Sequence, residues 1–146
     1  MASWYKNTRE GFLADNLSAI IDSLHKSAAA DGWHIEPEQD EEWRASVSAL
    51  QDALRDETMK FITGVLAEYD FRRRGIRIDF VLLAPGALFV VEFKRNDIAA
   101  ADRDQVMNYC VNLVEFHECT QRLKPKLFPL LVSRTSRKPS KIPTVE

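Results

Sequence analysis

Asp79, Glu92 and Lys94 lie on two short apolar runs, with Lys94 two positions beyond Glu92. Two carboxylates with an ammonium beside them are the residue types that metal-dependent hydrolysis of a phosphodiester uses. The runs, residues 76–83 and 88–95, are rich in Ile, Val and Phe and flank Ala84, Pro85, Gly86 and Ala87, a pattern that predicts a β-hairpin. With Pro85 and Gly86 at the centre of the turn, Asp79 falls opposite Glu92 and Arg77 opposite Lys94. Strand alternation sends Ile78, Phe80, Leu82, Phe89, Val91 and Phe93 to one face and Arg77, Asp79, Glu92 and Lys94 to the other. Opposed carboxylates repel unless positive charge lies between them. A divalent cation supplies that charge, and hard oxygen ligands favour Mg²⁺ or Mn²⁺. Lys94 would point into the same space, where it can orient the attacking water or help deprotonate it. The bland alternative is a solvated strand end whose charges form ordinary ion pairs.

The elements that must hold these residues follow from periodicity. Val65, Ala67, Tyr69 and Phe71 alternate with Leu66, Glu68, Asp70 and Arg72, which predicts a strand over residues 65–72. A turn centred on Arg73 and Arg74 would set Glu68 opposite Asp79, giving a row of three carboxylates across three strands. Glu57 competes for the third place. Trp43, Val47, Leu50, Leu54 and Phe61 recur at helical spacing, and Glu57 occupies the missing position of that stripe. Residues 99–119 predict a second helix, with Asp97 or Asp102 as N-cap and Val106, Cys110, Leu113 and His117 on or beside its inner stripe. Gln105 and Tyr109, four apart on that helix, share a face and can hold a scissile phosphate or a neighbouring base. Residues 127–132 read as a fourth strand, and Pro129 places it at an edge or a bulge. Helix, three strands, helix and strand make an α/β fold with a mixed central sheet flanked by helices.

The chain has 146 residues, 45% of them hydrophobic, enough for one core and one domain. We place the core at residues 41–134, a helical N-terminal extension at 1–40, including a helix over 16–30, and a polar tail at 135–146. The net charge of −2 argues against wholesale electrostatic capture of nucleic acid, but charge is unevenly spread. Residues 31–57 are strongly acidic; Arg72, Arg73, Arg74 and Arg77 precede the hairpin, and Arg122, Lys124, Lys126, Arg134, Arg137, Lys138 and Lys141 dominate the end. The two basic clusters could flank a nucleic-acid groove around a negative centre. Cys110 and Cys119 fall on nearly opposite faces of one helix, so neither a disulfide nor a shared metal joins them, and a cytoplasmic setting is expected. His25, His34 and His117 lack zinc spacing. No apolar stretch spans a bilayer, so no membrane partner is expected.

Together, residues 77–82 (Arg-Ile-Asp-Phe-Val-Leu), residues 90–94 (Val-Val-Glu-Phe-Lys) and the Gln105-x-x-x-Tyr109 helix resemble the PD-(D/E)XK nuclease superfamily, which has the restriction-endonuclease-like fold. The Gln-x-x-x-Tyr helix is similar to that of the branch containing RecB-type exonuclease domains. More narrowly, Glu68-Tyr69 ahead of Arg77-Ile78-Asp79, with Trp43, Leu50 and Leu54 upstream, resembles the N-terminal nuclease domain of some prokaryotic helicase-linked proteins. The resemblance implies phosphodiester hydrolysis in DNA, less often RNA. It implies Mg²⁺ or Mn²⁺ held by Asp79, Glu92 and the backbone carbonyl of Phe93, with Glu68 or Glu57 completing the acidic set, Lys94 serving the water, and Gln105 assisting. Arg72, Arg73, Arg74, Arg77 and Tyr109 are the expected nucleic-acid contacts. No Gly-x-x-x-x-Gly-Lys-Ser/Thr loop is present, so the expectation is either a stand-alone nuclease or a piece of a longer protein, with any helicase or ATPase domain in the same or a partner chain. A homodimer would provide the two sites a double-strand break needs. Asp79→Ala or Glu92→Ala is expected to abolish cleavage with folding intact or improved. The competing readings are a non-catalytic nucleic-acid-binding domain and a protein-interaction domain retaining the nuclease fold.

Overall fold

A computed structural model describes residues 2–71, 76–94, 98–116 and 118–133. The chain forms a five-stranded mixed sheet in sequence order: β1 (Ala2–Thr8), β2 (Gly64–Phe71), β3 (Ile76–Ala84), β4 (Ala87–Lys94) and β5 (Lys126–Ser133). The first four strands are antiparallel neighbours, and β5 runs parallel to β4. Helices α1 (Arg9–Ala14), α2 (Leu17–Ala30) and α3 (Pro37–Leu54) follow β1, and α4 (Ala100–Phe116) and α5 (Glu118–Leu123) join β4 to β5. The parallel pair needs such a crossover, because a tight turn can only reverse the chain. Among the described residues no helix is long and apolar enough to cross a membrane.

Local chemistry explains most boundaries. Pro85 and Gly86 close the β3–β4 hairpin, with Gly86 at φ +70, the backbone that the third residue of a type II turn requires. The expected register holds from Ala84 opposite Ala87 to Phe80 opposite Val91. The Asn16 side chain caps α2 by accepting from the Ala19 N–H at 2.8 Å, and Pro37 opens α3 where no amide proton is needed. β5 is an edge strand, as Pro129 required.

Three readings need correction. Residues 2–8 are a strand pairing with β2, so the segment before α2 is not wholly helical. Helix α3 ends at Leu54. The Asp56 side chain then accepts from the Thr58 N–H at 2.9 Å, a local turn that competes with helix continuation, and Glu57 begins a short 3₁₀ turn. The helix expected over 99–119 is present as α4, with helical structure also over α5; Asp102 Oδ2 accepts from the Ala99 N–H at 2.9 Å, while Asp97 and His117 lie outside the described residues. Finally, the hairpin face opposite Phe80 is not merely charged.

Both faces of the sheet are core. One side packs Val65, Ala67, Phe80, Leu82 and Val91 against Phe12, Ile20, Leu24, Trp43, Val47 and Leu54 of the N-terminal helices. The other packs Tyr69, Ile78, Val81 and Val90 against Val106, Tyr109, Cys110 and Leu113 of α4. Ala67 and Phe80 therefore belong to the first layer, whereas Tyr69 and Ile78, two residues along their strands, belong to the second. The phase change sits at Glu68, which has φ +52 and is skipped by the ladders to β1 and β3 alike. A non-glycine residue held there costs roughly 1–3 kcal/mol and persists only where its surroundings over-determine it.

Candidate hydrolytic site

The site forms where regular pairing stops. Beyond Phe80 and Val91 the β3–β4 ladder is replaced by side chains reaching between the strands. The Asp79 N–H donates to Glu92 Oε1 at 3.0 Å, and the Phe93 N–H donates to Asp79 Oδ2 at 2.9 Å. Asp79 and Glu92 are thus brought together as the hairpin register required, each with one oxygen tied to backbone. A side-chain hydrogen bond also links Asp79 to Glu92, and Asp79 Oδ1 and Glu92 Oε2 are not held by backbone.

Glu68 completes the acidic group. Only 5% of its surface is exposed; it accepts from Trp43 Nε1 at 2.9 Å and pairs with Arg77 Nε at 2.6 Å. Arg77 therefore turns towards Glu68 rather than standing opposite Lys94. Glu57 is not part of the group: its side chain is 81% exposed and pairs with Lys60 at 2.6 Å. Of the two candidates for the third carboxylate, Glu68 is the one the fold brings to Asp79.

Lys94 projects from the end of β4. Its Nζ donates to Gln105 Oε1 at 2.6 Å and lies 3.9 Å from Glu92 Oε2 and 3.7 Å from Asp102 Oδ1. Gln105 Nε2 donates in turn to the Tyr109 hydroxyl at 2.8 Å. Gln105 and Tyr109 do share a helix face, and that face is spent on orienting Lys94. Asp102, read from the sequence only as a cap, also neighbours Lys94, a role its spacing did not signal. Of the expected nucleic-acid contacts, Arg72, Arg73 and Arg74 lie outside the described residues, and Tyr109 is buried.

A cleft of about 400 Å³ opens between α3 and the ends of β3, β4 and β5, lined on one side by Glu42, Trp43 and Ser46 and on the other by Glu68, Asp79 and Lys94. Burial, with the Asp79 charge adding to it, raises Glu92 to about 9 and Glu68 to about 7; burial raises Asp79 to about 6, against the opposing pull of the Phe93 N–H and Lys94. Tyr109 is raised to about 12 by burial and by the charges of Glu92 and Asp79. Burial leads in every case, so Glu92 stays protonated at neutral pH while Asp79 is largely ionised beside it.

The donor set tests whether a cation fits. No three His, Cys, Asp or Glu residues among those described already converge as metal ligands. Mg²⁺ does not need three, since it is commonly held by one or two carboxylates with water and substrate oxygens filling the rest. Asp79 and Glu92, each with an oxygen to offer, fit that demand, and the Phe93 carbonyl follows directly on Glu92.

The raised carboxyls also set the pH dependence of stability. An acid whose folded pKa is raised stabilises the fold while protonated, and the contribution is lost as pH rises through the folded value. In EDTA the melting temperature should therefore fall between pH 5 and 9.5, in the range where Asp79, Glu68 and Glu92 ionise. Asp40, held below the usual carboxylate range by hydrogen bonds from His25 and Arg44, acts in the opposite sense, but only in more acidic solution. Thermal melts over this range check the sign, and a melting temperature that rises steadily to pH 9.5 would refute it.

No family model, curated protein or solved structure matches this chain.

Proposed function

We propose that the chain is a divalent-cation-dependent nuclease of the PD-(D/E)XK kind with a restriction-endonuclease-like fold, hydrolysing phosphodiester bonds in DNA in preference to RNA. One observation carries the reading: Asp79 and Glu92 meet where β3 and β4 part, Lys94 stands beside them, and all three lie in or next to an open cleft. Buried like-charged carboxylates cost stability unless they serve a purpose. A bound cation removes that cost.

Asp79 and Glu92 would hold Mg²⁺ or Mn²⁺ through oxygens not engaged by backbone, with the Phe93 carbonyl as a further ligand. When bound, the ion would acidify water and offset phosphate charge. Lys94, fixed by Gln105, would donate to the incoming water and aim its lone pair at phosphorus. As the water oxygen bonds to phosphorus, the bond to the leaving oxygen breaks, and the water's proton balances the charge on the departing alkoxide. Glu68 stays with Trp43 and Arg77, where it adds to the negative potential without being free to move a proton. Gln105 acts through Lys94 and is a positioning residue.

The test is incubation with labelled linear and circular, single- and double-stranded DNA and with RNA, in Mg²⁺, Mn²⁺ or EDTA. Cutting that needs the cation supports the proposal, and circular substrates separate internal from terminal cleavage. Salt-sensitive binding without cutting on any substrate would replace it with a non-catalytic nucleic-acid-binding domain.

A further inference from the structure

We propose that Trp33 is a stacking platform for an unpaired nucleobase, and therefore that the cleft is fed by single-stranded or frayed nucleic acid; the inference rests on the nuclease reading of the neighbouring site.

Trp33 combines exposure with fixation. It is 54% exposed, yet its backbone is set by the end of α2: the Gly32 N–H donates to the Ala29 carbonyl at 3.0 Å, the Trp33 N–H donates to the Ala28 carbonyl at 2.9 Å, and Gly32 takes φ +79. This is the Schellman arrangement, with glycine in the left-handed position. The indole is fixed as well. The Arg77 guanidinium carbon lies 4.7 Å from its ring centroid and 4.6 Å from that of Trp4. The Trp4 and Trp33 rings meet edge-on at 6.3 Å, and Trp4 is itself tied to Asp31 Oδ2 at 2.9 Å. The Arg77 guanidinium lies over the ring, and about half of the residue is still exposed.

The platform adjoins the cleft through two short links. Arg77 joins Trp33 directly to Glu68, and Trp4 packs on Trp43 at 6.2 Å; Glu68 and Trp43 both line the cleft. Arg77 Nη1 is buried with no hydrogen-bond partner among the described residues, so the guanidinium keeps an unused N–H beside the rings. A fixed aromatic face backed by a guanidinium suits the π-face of a base. Bases within a duplex are already stacked and cannot reach such a face without unpairing.

The test is binding in EDTA by the full chain, read by affinity and intrinsic fluorescence. The ligands are a short oligothymidylate, an abasic sugar-phosphate oligomer of equal length, and a blunt duplex. The variants are Trp33→Ala and Trp33→Tyr. Oligothymidylate should quench tryptophan emission in the wild type, and the quench should shrink in Trp33→Tyr. Trp33→Ala should weaken oligothymidylate binding roughly tenfold or more, whereas Trp33→Tyr retains most of it, because one stacked base is lost and then restored. The abasic oligomer should bind wild type and Trp33→Ala alike, which separates stacking from a disturbed Arg77. Equal affinity of wild type and Trp33→Ala for oligothymidylate, wild-type binding of abasic and thymidylate oligomers alike, or no oligothymidylate binding would overturn the platform. Cleavage with no such pattern removes the platform alone; the pattern without any cleavage removes the nuclease reading alone.

Discussion

Asp79→Asn and Glu92→Gln should each lower the rate of phosphodiester cleavage by on the order of 10³-fold or more, the loss expected when about 4 kcal/mol of metal-supplied transition-state stabilisation disappears. The amides keep the shape and one acceptor oxygen, so the carboxamide introduced at position 79 can still receive the Phe93 N–H, and the one introduced at position 92 the N–H of Asp79. Removing a buried carboxyl whose ionisation is opposed, Glu92 most of all at about 9, should leave melting temperature at pH 8 unchanged or raised. Alanine at the same positions behaves differently. It leaves a backbone N–H without its partner in a partly buried gap between strands, a loss of about 1–3 kcal/mol. Asp79→Ala and Glu92→Ala should therefore be inactive and less stable, which revises the expectation drawn from opposed charges alone. Cleavage rates and melts of the four variants side by side check both halves; wild-type turnover in either amide variant would refute the catalytic assignment.

Lys94→Met should reduce kcat by roughly 10²–10³-fold with little change in KM, the range lost when one preorganised hydrogen-bond donor is removed. Met matches the aliphatic stem but cannot donate to water. The ammonium is positioned by Gln105 Oε1 at 2.6 Å, so Gln105→Leu should give a smaller loss, on the order of tenfold, as removal of a supporting hydrogen bond usually does. Lys94→Arg should not restore activity, because a planar fork does not occupy the place of a compact ammonium. Steady-state kinetics separate the two parameters. A Lys94→Met enzyme with normal kcat and raised KM would make Lys94 a phosphate-binding residue instead.

Asp79, Glu92 and Lys94 were legible because the hairpin is local. A Pro-Gly turn fixes register, register fixes partners, and strand alternation does the rest. Glu68 was legible as a position opposite Asp79, but its left-handed backbone was not, since no glycine marks the site where both ladders break. That break moved Tyr69 and Ile78 to the α4 side and made both faces of the sheet apolar. Glu57 misled for the opposite reason: the stripe Trp43, Val47, Leu50, Leu54 was extended past a helix that stops at Leu54, where the Asp56 side chain favours a turn. Strand β1 was missed because its partner β2 lies far along the chain, and residues 2–8 carry no clear two-residue period. The packing of Arg77 against Trp4 and Trp33 joins three separate segments, and no spacing rule signals such a contact.

Cation binding tests the centre without requiring the right nucleic acid to be known. The decisive measurement is titration of the wild-type chain and of Asp79→Asn with Mn²⁺ at pH 8, followed by the paramagnetic signal of free ion. The wild type should take up Mn²⁺, and uptake should be lost or strongly weakened in Asp79→Asn. Uptake by both proteins alike, or by neither, would contradict a cation site built on Asp79 and Glu92.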